Sequence, residues 1–137
     1  MSHPRESHGA TGEGALSARM GIEYIELTPQ RVVARMPVDG NTQPYGLLHG
    51  GASCVLAETV ASIGSALYAG PERFAVGTEL NASHHRSATS GYVTAVAVQL
   101  HSGRSTATYD VAVTDDRDQR ICTARVTCML RDKIPSP

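Results

Sequence analysis

The stretch from Asn41 to Ala69, NTQPYGLLHGGASCVLAETVASIGSALYA, constrains this chain more than any other. Pro44 and Gly46 keep its first part irregular, and His49-Gly50-Gly51 marks an abrupt helix start. Beyond it Val55, Leu56, Thr59, Ile63, Ala66 and Leu67 recur at helical spacing, and Gly70-Pro71 ends the helix. Small residues make the helix slim. Gly64 in its interior costs about 1 kcal/mol relative to Ala, so close packing is expected there. The helix carries one acid, Glu58. A buried lone carboxylate is costly without a partner, so Glu58 calls for a partner or a function.

The flanking segments read as strands. Ile22 to Thr28 and Arg31 to Val38 are separated by Pro29-Gln30, a turn signal. In the second, Val32, Ala34, Met36 and Val38 form an apolar face, and Pro37 makes the strand an edge or a terminating one. After the helix, Phe74 to Ala82, Tyr92 to His101, Thr106 to Thr114 and Gln119 to Leu130 are four more strands. Ser90-Gly91, Ser102-Gly103 and Asp115-Asp116-Arg117-Asp118 punctuate them. A short helix is expected over Ala15 to Met20, ended by Gly21. The fold class is therefore α+β, one long helix wrapped by a six-stranded antiparallel sheet. One helix rarely covers so wide a sheet, which implies a second copy of the chain.

The 137 residues fit a single domain over 14–131, between a mobile tail at 1–13 and a C-terminal tail at 132–137. A net charge of −1 argues against nucleic acid and acidic membrane surfaces as partners. No apolar run is expected to span a membrane, and the N-terminal residues lack a signal-peptide core, so a cytoplasmic protein is expected. Cys54, Cys122 and Cys128 have no metal-ligand spacing and read as small buried hydrophobes, with a redox role as the alternative. His84 and His85 are adjacent and point to opposite faces of a strand, so neither a metal nor another cofactor is expected.

These features resemble the hotdog-fold thioesterases of the phenylacetate-degradation type, near the branch of enterobactin-proofreading and dihydroxynaphthoyl-CoA thioesterases. The likeness is carried by Asn41 to Ser53 with Leu56-Ala57-Glu58, by Val76 to Ala82 with His84-His85-Arg86, and by Leu100-His101 with Gly103-Arg104. It runs from about Gly21 to Leu130. The resemblance implies that Gln43, His49 and Gly50 surround a thioester carbonyl. By the same resemblance Glu58 is base or nucleophile, and Ser62 helps hold water. His84, His85, Arg86, Gly103 and Arg104 would border the CoA nucleotide or the pantetheine entrance. The implied substrate is an acyl-CoA, aromatic by the company it keeps, and the implied assembly is a homotetramer built as a dimer of dimers.

The residues support that chemistry on their own terms, beside blander readings. A helix N-terminus offers free N–H groups and partial positive charge, and Gly50 and Gly51 leave them open to a carbonyl. Gly-Gly also permits tight packing. The Gln43 amide can donate a further hydrogen bond. Glu58 is a catalytic carboxylate or one satisfied at a subunit contact; Ser62, four residues on, is a water-holder or a packing residue. His49 is a base, or orients the loop or the substrate. Arg86 and Arg104 suit phosphate, or are simply solvated.

Gly50 and Glu58 lie eight residues apart, about 12 Å along a helix, while attack needs contact at about 3–3.5 Å. One helix therefore cannot easily both hold and attack the carbonyl, and the two groups are expected from different subunits. Two rival functions use the same residues: release of wrongly loaded acyl groups from an acyl carrier protein, and non-catalytic binding of acyl-CoA.

Overall fold

The computed structural model describes residues 14–134, so the expected N-terminal tail and the last three residues lie outside the described residues. Eight elements follow in order: α1 (Ala15–Met20), β1 (Glu23–Leu27), β2 (Arg31–Pro37), α2 (Gly50–Ala69), β3 (Arg73–His84), β4 (Tyr92–Ser102), β5 (Thr106–Thr114) and β6 (Arg120–Asp132). The six strands form one antiparallel sheet in the order β1-β2-β4-β5-β6-β3. Hairpins give β1-β2 and β4-β5-β6. The helix is inserted between β2 and β3 and carries β3 to the far edge. Pro37 ends β2, which is flanked by β1 and β4, so it terminates a strand rather than marking an edge.

Helix α2 packs on β2, β3, β4, β5 and β6. The inner face of the sheet supplies Val32, Ala34, Met36, Val93, Ala95, Ala97, Ala107, Tyr109, Val111, Val113, Ala124 and Val126 to the core. Small side chains across the centre let the helix sit low. At Gly64 a β-carbon would lie 2.7 Å from the ring of Tyr109, so the glycine is what admits this fully buried tyrosine. The Tyr109 hydroxyl donates to the Pro29 carbonyl, and Gln99 Nε2 donates to it at 3.3 Å.

The buried stripe of α2 runs through Ala52, Ser53, Leu56, Ala57, Val60, Ala61, Ile63, Gly64 and Ser65. Val55, Thr59, Ala66 and Leu67, which share the expected periodicity, are only half-buried. The helix thus has a second apolar flank that one chain leaves uncovered. On the outer face of the sheet Phe74, Val76, Val98 and Leu100 are likewise exposed.

Several expectations need correcting. Strand β6 continues to Asp132, which pairs with Arg73, beyond the expected strand end at Leu130. Helix α2 is long and apolar enough by length and composition to cross a membrane, contrary to the sequence reading, although here it is the core helix under a sheet. Cys122 and Cys128 are fully buried on the face of Ala124 and Val126, as expected, but Cys54 is half-buried. Burial and the neighbouring Glu58 charge push the Cys54 thiol up, which lowers its thiolate fraction.

Candidate active site

The loop before α2 is fixed by backbone bonds: Gln43 N–H donates to Leu47 O at 2.8 Å, and Leu48 N–H donates to Ala88 O at 2.8 Å. Asn41 anchors it to the rest of the fold. Its side-chain amide donates to Met20 O and Pro37 O, both at 2.8 Å, and its carbonyl accepts from His49 N–H at 2.9 Å. Asn41 stands in the motif before α2, but the sequence alone assigns it no role. Its partners, the ends of α1 and β2, are set by tertiary structure and leave no local signal.

His49 is the N-cap of α2. Its Nδ1 accepts from Gly51 N–H at 2.8 Å, which puts the proton of the neutral ring on Nε2. The bond decides which glycine can act on a ligand. Gly51 N–H is taken by the cap, and the Ala52 and Ser53 N–H groups donate to His49 O. Among the described residues Gly50 N–H has no partner, so one open donor remains where two were expected. Packing alone also explains both glycines. A β-carbon on Gly50 would lie 3.1 Å from His84 Nε2, and one on Gly51 would lie 2.9 Å from His49 Nδ1.

Gln43 Oε1 accepts from Tyr45 N–H at 2.5 Å, which orients the amide and leaves Nε2–H₂ without a partner among the described residues. Gln43 and Gly50 line one cleft of about 440 Å³ with Ser53, His84, His85 and Arg86. His84 packs against Gly50 of α2, and the Nε2 of His85 lies 2.9 Å from Thr123 Oγ1. The cleft therefore combines two open N–H donors with the guanidinium of Arg86. Among the described residues no three His, Cys, Asp or Glu side chains converge as metal ligands would.

The other expected site residues lie elsewhere in the chain. Glu58 is exposed rather than buried, because α2 passes over the sheet edge at that point. Its carboxylate rests on Gly77 of β3, where a β-carbon would lie 3.1 Å from Glu58 Cδ. Gly50 rests on His84, at the far end of the same strand. The Ser62 hydroxyl is 3.8 Å from Cys128 Sγ, a contact with the core rather than with Glu58. Gly103 and Arg104 lie at the β4–β5 turn, where Tyr68 donates to Gly103 O at 2.9 Å and Arg73 donates to Arg104 O at 2.8 Å. These partners belong to the end of α2 and the start of β3. Within one chain the expected CoA-bordering residues thus fall into two groups, at opposite ends of α2.

A six-stranded antiparallel sheet around one long helix, with an open donor pair at the helix start, defines a hotdog thioesterase. The description "Thioesterase superfamily" matches residues 45–122, and the chain belongs to that family. It is 43% identical over 123 residues to proofreading thioesterase EntH of Cronobacter turicensis, covering 89% of this chain and 90% of that protein. Among solved structures it is similar to a mutant of thioesterase PA1618 from Pseudomonas aeruginosa, with TM-score 0.83, 38% identity and 88% of each chain covered. Thioesterase HI1161 from Haemophilus influenzae superposes with TM-score 0.86 at 29% identity, over 98% of this chain and 95% of that one. The protein is accordingly a thioester hydrolase.

Proposed function

We propose that the chain hydrolyses an aromatic acyl-CoA to the carboxylic acid and free CoA, in a site completed by a second copy of the chain. The observation that carries this reading is the separation just described. Gly50 N–H and Gln43 share a cleft, while Glu58 stands over Gly77, away from it.

The edge of the sheet supports a shared site. β3 is an edge strand of 12 residues, bearing exposed Phe74 and Val76 and lying next to the half-covered flank of α2. Antiparallel pairing of two β3 strands about a two-fold axis sets the start of one beside the end of the other. That brings the partner's carboxylate-bearing helix toward the donor cleft. It also brings the Gly103–Arg104 turn, tied to Arg73, toward His84, His85 and Arg86 of the other copy. The two groups of CoA-bordering residues then form one rim, and Arg86 and Arg104 meet the phosphates.

In that site Gly50 N–H and Gln43 Nε2 donate to the thioester oxygen and stabilise the charge that develops on it. One such donor is typically worth ~3–4 kcal/mol. Glu58 takes a proton from the water that attacks the carbonyl carbon, or itself attacks to give a mixed anhydride that water then hydrolyses, releasing the acid and restoring the carboxylate. The C–S bond breaks, and CoA leaves as the thiolate and is then protonated. His49 caps the helix start through Nδ1 and so holds the neighbouring Gly50 N–H in place. Ser62 lies one turn beyond Glu58 and positions water once the interface is closed.

The kinship with a proofreading thioesterase favours a second reading, hydrolysis of a wrongly loaded acyl group on a carrier protein. Comparing an aryl-CoA with the same acyl group on a carrier domain separates the two. The shared site is tested by subunit exchange. Gln43→Ala and Glu58→Ala chains are each expected to lose at least roughly 10²-fold in kcat. Mixed and exchanged, they are expected to recover about a quarter of wild-type turnover, since about half the dimers are mixed and each holds one intact site. An exchanged mixture that stays inactive refutes the shared site, and near-normal turnover by Glu58→Ala refutes its role.

A further inference from the structure

The two groups assigned to the thioester oxygen stand on either side of a narrow neck in the chain. Gln43 belongs to the irregular loop, and Gly50 to the first turn of α2. Between them the chain closes on itself. Thr42 bridges Leu48, and His49 N–H donates to Asn41 O at 2.9 Å. The base of this neck is held by one side chain. The Asn41 amide nitrogen donates to Met20 O, the last carbonyl of α1, and to Pro37 O, the last of β2, both at 2.8 Å. Two carbonyls can be met only by the NH₂ end of the amide, which fixes its orientation. The Asn41 backbone N–H donates in turn to Val38 O at 2.9 Å. One residue thus ties the end of α1 and the end of β2 to the start of α2.

Asn41 does not line the donor cleft, so it reaches the reaction only through this neck. We infer that Asn41 is a positioning residue for hydrolysis: it sets the spacing between Gln43 Nε2 and Gly50 N–H, so that both converge on one oxygen. The role rests on the donor roles proposed for Gln43 and Gly50, and deepens them. Convergence matters most in the transition state, where charge grows on the oxygen and donors fixed in advance need no reorganisation. A tether that keeps the donors in place therefore acts on kcat and leaves ground-state binding nearly untouched. The outer flank of the loop has its own support, the bond from Leu48 N–H to Ala88 O at 2.8 Å. Loss of the Asn41 bonds thus shifts the donors without releasing the whole loop, and a shift of about 1 Å can cost roughly 10²-fold in rate.

The test uses the full chain, with thiol release from an aryl-CoA as the assay and urea melts to set conditions in which each variant is folded. Asn41→Asp keeps the shape but turns a carboxylate oxygen toward two carbonyl oxygens. Asn41→Ser keeps one donor, and it serves if the first substitution hinders folding. Asn41→Asp is expected to lower kcat by roughly 10–10²-fold and Asn41→Ser by less, with KM changed by less than about twofold in both. In a Gln43→Ala background one donor remains and there is no spacing to keep, so either substitution should cost less than about threefold more. A fold that is merely loosened would repeat the full loss there. Unchanged kcat in the Asn41 variants, a raised KM with kcat unchanged, or the full loss repeated in the Gln43→Ala background overturns the positioning role alone. Normal kcat in Gln43→Ala itself overturns the proposed donor pair, and the role of Asn41 with it.

Discussion

Gly77→Ala separates stability from catalysis in a way that the geometry fixes in advance. The new β-carbon would lie 3.1 Å from Glu58 Cδ and 3.3 Å from both Cγ and Oε1. Carbon atoms in good contact sit about 3.5–4.0 Å apart, so the carboxylate must retreat by roughly half an ångström. In the single chain Glu58 is exposed and its carboxylate is the free end of a flexible side chain, so the retreat costs the fold little. Replacing a glycine inside a strand with alanine recovers about 0.5–1 kcal/mol of backbone entropy. The variant is therefore expected to be as stable as wild type or slightly more so. Catalysis responds in the opposite direction. A misplacement of about 1 Å can cost roughly 10²-fold in rate, so half that distance should cost about tenfold in kcat. Thiol release from an aryl-CoA measures turnover, and urea melts at matched protein concentration measure stability. In a Glu58→Ala background the same substitution should change kcat no further. Unchanged turnover in the single variant would refute the view that Gly77 keeps the carboxylate in place.

Two further predictions concern the core. In Gly64→Ala the β-carbon meets the Tyr109 ring at 2.7 Å, and overpacking of about 1–3 kcal/mol outweighs the roughly 1 kcal/mol that alanine adds to a helix. The urea midpoint should fall, and a rise would show that the ring moves aside freely. The second concerns alkaline stability. Burial pushes the Cys122 thiol from its usual 9.0 up to about 11, and the Tyr109 hydroxyl from 10.0 up to about 12. Both groups are held protonated by the fold, so their contribution is complete below the unfolded values and is lost as pH rises through the folded ones. Stability should decline from pH 9 through 11 on account of Cys122, and from 10 through 12 on account of Tyr109. Cys122→Ala should delay the first part of that decline, and an unchanged profile would refute the assignment.

The elements were legible because their signals are local. Gly50-Gly51 and Gly70-Pro71 bracket α2, and apolar alternation with turn residues marks β2, β4, β5 and β6. What depends on tertiary placement was not. Nothing in the order of strands says that β3 returns to the far edge beside β6, or that a bulge falls between Gly77 and Glu79. Since Glu58 lies beside that edge, one chain leaves it exposed, and its burial depends on a second copy. Histidine is not among the favoured N-cap residues, so the His49 cap, and with it the loss of Gly51 as a donor, had no sequence signature. The Gly103–Arg104 turn shares a motif family with His84–Arg86 but lies at the other end of α2, a distance that a linear motif cannot express.

The open edge of β3 also bears on how the protein behaves when its assembly is disturbed. The outward N–H and C=O groups of this strand, those not bonded to β6, are a template for any passing strand, and only Arg73 and Glu79 among its twelve residues carry charge. A substitution that blocks self-pairing there would leave the template exposed without removing it. Such variants should be recovered as aggregates rather than as quiet, soluble monomers. For this sheet, correct partnering and solubility are one property, and a loss of activity in the cell from a β3 variant is to be read first as a loss of soluble protein.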